Sequence, residues 1–188
     1  LIKIEDIFAD LKTLETSRLV LRKLKVEDAQ DMFEYCSDEE MTPFVTWDAH
    51  KTIDDSMVFI QKTIEKYKKS QVGEWGIALK ETGKLVGTCG FLWWMTEWGR
   101  AELAYAIARP LWGKGLMTEA VNEVVRFGFD EMELNRIEAR AIPKNIASIR
   151  VMQKIGMTKE GLHREQMIMH GKFVDLSSYA ILRRDYYK

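Results

Sequence analysis

The residues best suited to chemistry run from Tyr105 to Ala120, Y-A-I-A-R-P-L-W-G-K-G-L-M-T-E-A. The apolar alternation at the start predicts a strand, the two glycines a loop, and the last residues a helix. Free backbone N–H groups at a helix start, aligned with the helix dipole, attract an anion. Gly113 and Gly115 allow close backbone approach to a phosphate, and Lys114 adds a positive charge beside them. A nucleotide P-loop needs Lys followed by Ser or Thr after its last glycine; here Gly115 follows Lys114. A dinucleotide loop needs a third glycine, and Thr118 stands at that position. The anion would therefore belong to another phosphate ligand. The competing reading is a helix-entry turn whose glycines only relieve crowding.

The elements that must position this loop follow from hydrophobic periodicity. Ile4, Ile7, Phe8 and Leu11 predict a short amphipathic helix within residues 2–12. Arg18 to Leu24 alternates as a half-buried strand. Helices are predicted over Glu27 to Cys36 and Thr52 to Lys69, with a mixed loop around Pro43 between them. Strands follow over Glu74 to Lys80 and Lys84 to Met95, joined by the turn E-T-G, and then over Ala101 to Ala108. A helix over Gly115 to Phe129, a strand over Leu134 to Ile142 and a helix over Asn145 to Lys154, closed by Gly156, come next. Met157 to Met169 and Phe173 to Leu182 form two strands across H-G-K. This is an α+β pattern with a largely antiparallel sheet.

The chain's 188 residues suit one domain, 13–188, with 1–12 as an N-terminal extension. Hydrophobic residues at 46% and charged residues at 30% are ordinary for a folded protein and exclude wholesale disorder. A net charge of −1 excludes an overall basic protein built to sit on nucleic acid or anionic lipid, and leaves a local basic patch open. No leader pattern or membrane-length apolar run is present, which makes a cytoplasmic protein the expectation. Cys36 and Cys89 and three scattered histidines show no metal-ligand spacing, so no metal is expected. Cys89 sits in an apolar strand and reads as a buried thiol rather than a nucleophile. Six tryptophans are the unusual feature.

Three ordered blocks resemble the GNAT acetyltransferases. P-L-W-G-K-G stands where that family carries [QR]-x-x-G-x-[GA], with Pro110 in place of Gln or Arg. N-I-A-S-I-R-V-M-Q-K-I-G-M resembles the family's late helix, with Met157 in place of Phe. L-E-T-S-R-L-V-L-R, the following E-D-A, and Y-x-I-x-x-P-x-W-G-K-G resemble the RimJ/RimL branch, the ribosomal-protein N-terminal acetyltransferases. The resemblance covers residue 13 to the end. It implies a GNAT-like sheet with acetyl-CoA between splayed strands 101–108 and 134–142. The pyrophosphate would lie on the N–H groups of Trp112, Gly113, Lys114, Gly115, Leu116 and Met117. The pantetheine arm would pair with the backbone of Ala106, Ile107 and Ala108, and Asn145 would bond its amides.

Acetyl transfer to an amine needs a neutral amine, a stabilised oxyanion and a protonated leaving thiolate. The resemblance nominates Glu102 as base; the alternative is a solvent-facing strand carboxylate paired with Arg100. A backbone N–H near Ile107 is the candidate oxyanion donor. The family's thiolate-protonating Tyr is replaced by Met152, which nominates Ser148, alternatively a small residue for close helix packing. Trp93 and Trp94 are neighbours on a strand and face opposite ways. Trp47 and one member of that pair are candidate walls of the acceptor cleft, with ordinary packing as the alternative. His163 and His170 read as surface or hydrogen-bonded residues. The implied function is transfer of acetyl from acetyl-CoA to a protein or peptide N-terminal amine. The alternatives are a small amine acceptor (a polyamine, an amino acid or an aminoglycoside) or a non-catalytic CoA-binding module. A homodimer is compatible with the resemblance.

Overall fold

The computed structural model describes residues 2–188. In chain order the elements are α1 (Ile4–Phe8), β1 (Leu14–Glu15), β2 (Leu19–Arg22), α2 (Ala29–Cys36), α3 (Ile53–Lys68), β3 (Glu74–Leu79), β4 (Leu85–Met95) and β5 (Arg100–Ile107). Then come α4 (Leu116–Asp130), β6 (Arg136–Ala141), α5 (Ile146–Lys154), β7 (Thr158–Met169), β8 (Lys172–Leu182) and α6 (Arg183–Tyr186). After β2 this is the helix and strand order expected from the sequence. The two-residue β1 and the terminal α6 are additions too short to carry a periodic signal.

The strands make one eight-stranded sheet in the order β1-β2-β3-β4-β5-β6-β8-β7. Among the described residues only β5 and β6 pair in parallel. Their pairing covers Arg100 to Glu102 against Arg136 to Glu138 and stops there. Beyond Glu102 the two strands part, leaving a fork in the middle of the sheet. A parallel connection needs a crossover, and α4 supplies it.

Helix α4 packs one face of the sheet with Val121, Val124, Val125 and Phe127, all buried. Trp75 meets Phe127 edge-on at 5.2 Å. Gly128 lets this helix approach closely: a Cβ there would sit 2.8 Å from Ile137 Cδ1 and 3.0 Å from Phe91 Cζ. Elsewhere in the core α2 and α3 contribute Met32, Ile60 and Tyr67. The Tyr67 hydroxyl donates to the Glu74 carbonyl (2.6 Å) and accepts from the Leu24 N–H (3.2 Å). The N-terminal extension joins this core, because Phe8 is fully buried and packs against Trp94, and the Trp75 indole donates to the Lys12 carbonyl.

Candidate active site

The loop between β5 and α4 adopts an anion-binding shape. Gly113 (φ +75°) and Gly115 (φ +78°) are both left-handed, a conformation that disfavours side chains. A Cβ on Gly113 would meet nothing within 4 Å, so its glycine answers to the backbone angle rather than to crowding. The first backbone bond closing α4 from the loop runs from Glu119 N–H to Gly115 O. Among the described residues, the N–H groups of Gly113, Gly115, Leu116, Met117 and Thr118 have no acceptor. Trp112 and Lys114 spend theirs on Arg109 and Leu111 carbonyls. Leu116 and Met117 bury their side chains, so they offer backbone alone.

The fork supplies a second polar edge. Ala108 N–H donates to the Val86 carbonyl, so alternation along β5 turns the Ala106 amide toward β4 and those of Tyr105 and Ile107 toward the fork. The Trp112 indole takes the Ile107 carbonyl (2.8 Å), leaving the Ile107 N–H facing the gap. Trp112 also meets Phe44 edge-on, tying the loop to the segment between α2 and α3.

Glu102 sits at the fork's apex, the last β5 residue paired to β6. It is buried and does not face solvent. Arg140 binds it bidentately, Nε and Nη2 each at 2.7 Å, and the Trp93 indole donates to Oε2 at 2.7 Å. The bond to Glu102 raises Arg140 above its ordinary value, against the opposing effect of partial burial. Arg100 is not the partner; its guanidinium lies over the Trp93 and Trp98 rings at 5.4 and 5.0 Å. A bulge makes the Trp93 contact possible. Phe91 pairs with Leu103 and Trp93 with Glu102, so Leu92 is an extra residue, 59% exposed. Trp93 thereby faces Glu102, while Trp94 is buried against Phe8 on the other face. Trp47 is half-buried at the edge of the core.

Across the fork, Asn145 caps α5 by accepting the Ser148 N–H on Oδ1 (3.1 Å), which leaves its amide NH2 free. The Ser148 hydroxyl lies 3.0 Å from the Tyr105 hydroxyl. Burial pushes the Tyr105 phenol up, so it stays protonated as a hydrogen-bond partner. Met152 is fully buried. Tyr105 alternates with core residues in sequence, and nothing local signals that its hydroxyl reaches α5. Both cysteines are buried and free. Burial pushes the Cys36 thiol up to about 12 and the Cys89 thiol higher, which removes either as a nucleophile. His163 is exposed.

His170, at the β7–β8 turn, bonds the loop carrying Trp47. Nδ1 meets Asp48 at 2.7 Å, and Nε2 meets the Thr42 and Val45 carbonyls at 3.0 and 3.1 Å. Its partners raise its pKa, the Asp48 bond first. A nearby open cleft of about 800 Å³ is lined by Glu39, Asp48, His50, Lys51 and Asp55 among others. Its acids are committed: Glu39 to Lys51, Asp48 to His170, and Asp55 to the start of α3. Among the described residues no cluster of three or more potential ligands could hold a metal, and no helix is long and apolar enough to cross a membrane.

The sequence and the fold both match known proteins. The family model for the acetyltransferase (GNAT) domain matches residues 18–158. The chain belongs to the GNAT acetyltransferases. It is 36% identical over 176 residues to the N-acetyltransferase p20 of Bacillus licheniformis, covering 94% of this chain and 99% of that protein. A GNAT-family acetyltransferase structure from Bacillus anthracis superposes with a TM-score of 0.82 at 28% identity, covering 92% of this chain and 99% of that one. At 24% identity the chain resembles the Escherichia coli [ribosomal protein uS5]-alanine N-acetyltransferase, with 92% of each covered. As a member of this family the chain is an acetyl-CoA-dependent N-acetyltransferase.

Proposed function

We propose that the acceptor of this acetyltransferase is the α-amine of a protein or peptide N-terminus. The observation that carries this reading is the bonding of Glu102. Arg140 and Trp93 hold it with three donors at the apex of the fork, which leaves about one of a carboxylate's four acceptor directions for an amine or a relaying water. An α-amine, with a pKa near ~8, is already partly neutral at pH 7, whereas a lysine amine, near ~10.4, asks far more of a base. The similarity to the uS5-alanine acetyltransferase points the same way.

Acetyl-CoA supplies an activated acyl group and a good leaving thiolate. The free N–H groups of Gly113 and Gly115 to Thr118, with Lys114, fit its pyrophosphate. The fork-facing amide of Tyr105 and the free amide of Asn145 fit its pantetheine arm. The Ile107 N–H is the candidate oxyanion donor. Ser148, held by Tyr105, is placed to donate a hydrogen bond toward the sulfur position. Glu102 orients the amine or its water, and Trp93 and Trp47 wall the acceptor path. Trp94, buried against Phe8, stands behind this wall as packing.

The test is thiol release from acetyl-CoA against peptides with free N-termini, the same peptides blocked at the N-terminus, polyamines and aminoglycosides. Release with free but not blocked peptides supports the reading. Release only with small amines overturns the acceptor. Cofactor binding without release to any acceptor overturns catalysis at this site.

A further inference from the structure

We infer that Arg18, held by Glu119, is a positioning residue that shapes the phosphate loop for cofactor binding; this rests on the loop assignment above. Glu119 lies one turn into α4 and is gripped by the β1–β2 turn, more than 100 residues earlier in the chain. The Arg18 N–H donates to Oε1 (2.9 Å) and its Nε to Oε2 (2.7 Å), while the Ser17 hydroxyl adds a bond at 3.0 Å and Thr16 another. Burial opposes ionisation of Glu119, but these hydrogen bonds outweigh it and hold the carboxyl at about 2.

The same guanidinium reaches the loop itself. Arg18 Nη1 donates to the Lys114 carbonyl at 3.1 Å. Lys114 precedes the N-cap Gly115, so no helical N–H reaches its carbonyl. Arg18 satisfies it instead, and the Thr118 N–H is among the open donors of the helix start. Arg18 Nη2 also lies 3.6 Å from where a Gly115 Cβ would be. The clamp therefore does two things. It fixes the peptide between the two left-handed glycines, which sets the direction in which the open helix-start N–H groups point. It also neutralises a carboxylate that would otherwise stand in the first turn beside a pyrophosphate.

The experiment compares wild type with Arg18→Ala, Arg18→Lys and the double variant Arg18→Ala/Glu119→Gln, all as the full chain. Steady-state kinetics and the melting-temperature rise caused by coenzyme A are measured for each. Arg18→Ala should raise KM for acetyl-CoA by ~10-fold or more and leave kcat at saturation within about twofold. Arg18→Lys keeps the charge but loses the fork geometry, so its KM should lie between. The double variant should recover part of the KM loss, because the unneutralised carboxylate is gone. A KM within twofold of wild type in both Arg18 variants, with the protein folded, overturns the inference and leaves Arg18 a purely structural tie. If Arg18→Ala fails to fold, Arg18→Lys decides by the same KM criterion. A wild-type protein that shows no melting shift with coenzyme A fails the loop assignment itself, a separate outcome.

Discussion

Replacing Gly113 by Glu separates the loop's backbone requirement from its ligand requirement. The position is left-handed, at φ +75°, and a Cβ there has open space around it. An L residue forced into this region costs ~1–2 kcal/mol of strain, with no steric term to add. In a chain of this length each kcal/mol moves the melting temperature by about 2–4 °C, so the unliganded variant should melt ~2–8 °C lower. Coenzyme A at 100 times its dissociation constant should stabilise wild type by about 2.7 kcal/mol. That is a rise of ~5–11 °C. The glutamate side chain would project into the phosphate path and add a negative charge, so this rise should disappear. Gly83→Glu is the control: its φ is +72°, its surroundings are equally open, and it lies on the β3–β4 turn. It should lower the melting temperature similarly and keep the coenzyme A rise. Differential scanning fluorimetry measures both quantities. A full ligand-induced rise in Gly113→Glu would refute the assignment of this loop to the phosphates.

Glu102→Gln should lower kcat much more than it changes cofactor KM, with the loss largest at low pH, where the amine is charged. A pH profile of turnover identical to wild type would remove Glu102 from the chemistry. The same change presents an amide N–H to Arg140 or Trp93, and an unmet buried donor should cost ~1–3 kcal/mol in denaturant unfolding. Asp48 and two carbonyls favour the protonated form of His170. Its raised value means that its stabilising contribution is complete below its ordinary 6.5 and fades as pH rises through the raised value. Melting curves across pH should show that fade in wild type and not in His170→Gln; equal slopes would count against the tie. Gly90→Ala should be severe, about 3 kcal/mol or more by urea unfolding, because its Cβ would overlap Glu74 Cα and sit 2.7 Å from the Gly73 carbonyl. Gly128→Ala should cost less, about 1–2 kcal/mol, because the atoms it meets are side-chain tips of Ile137, Phe91 and Leu134 rather than backbone.

The sequence by itself determined the order of the elements, the glycine loop and the family. Those signals are local. Apolar spacing along α4, alternation along β5 and the run P-L-W-G-K-G are each contained within a few turns of chain. Most element ends moved by a residue or two, as where the strand expected from Ala101 begins at Arg100, but the first helix stops at Phe8 and leaves Leu11 outside it. Only the tertiary structure decided who meets whom. Glu102 finds Arg140 rather than the nearby Arg100, because β6 lies beside β5 and the pair ends at that register. Trp93 and Trp94 face opposite ways as alternation requires, but the bulge at Leu92 selects which of them reaches Glu102. Tyr105 reads as core by alternation, yet its hydroxyl crosses the fork to Ser148 because β5 and β6 separate there. Arg18 belongs to a recognisable stretch, but its use became visible only when β1 and β2 brought it under α4. Periodicity along a chain encodes which face is apolar. Strand order, register and a single bulge, set by packing across the whole sheet, choose the partners that make the site.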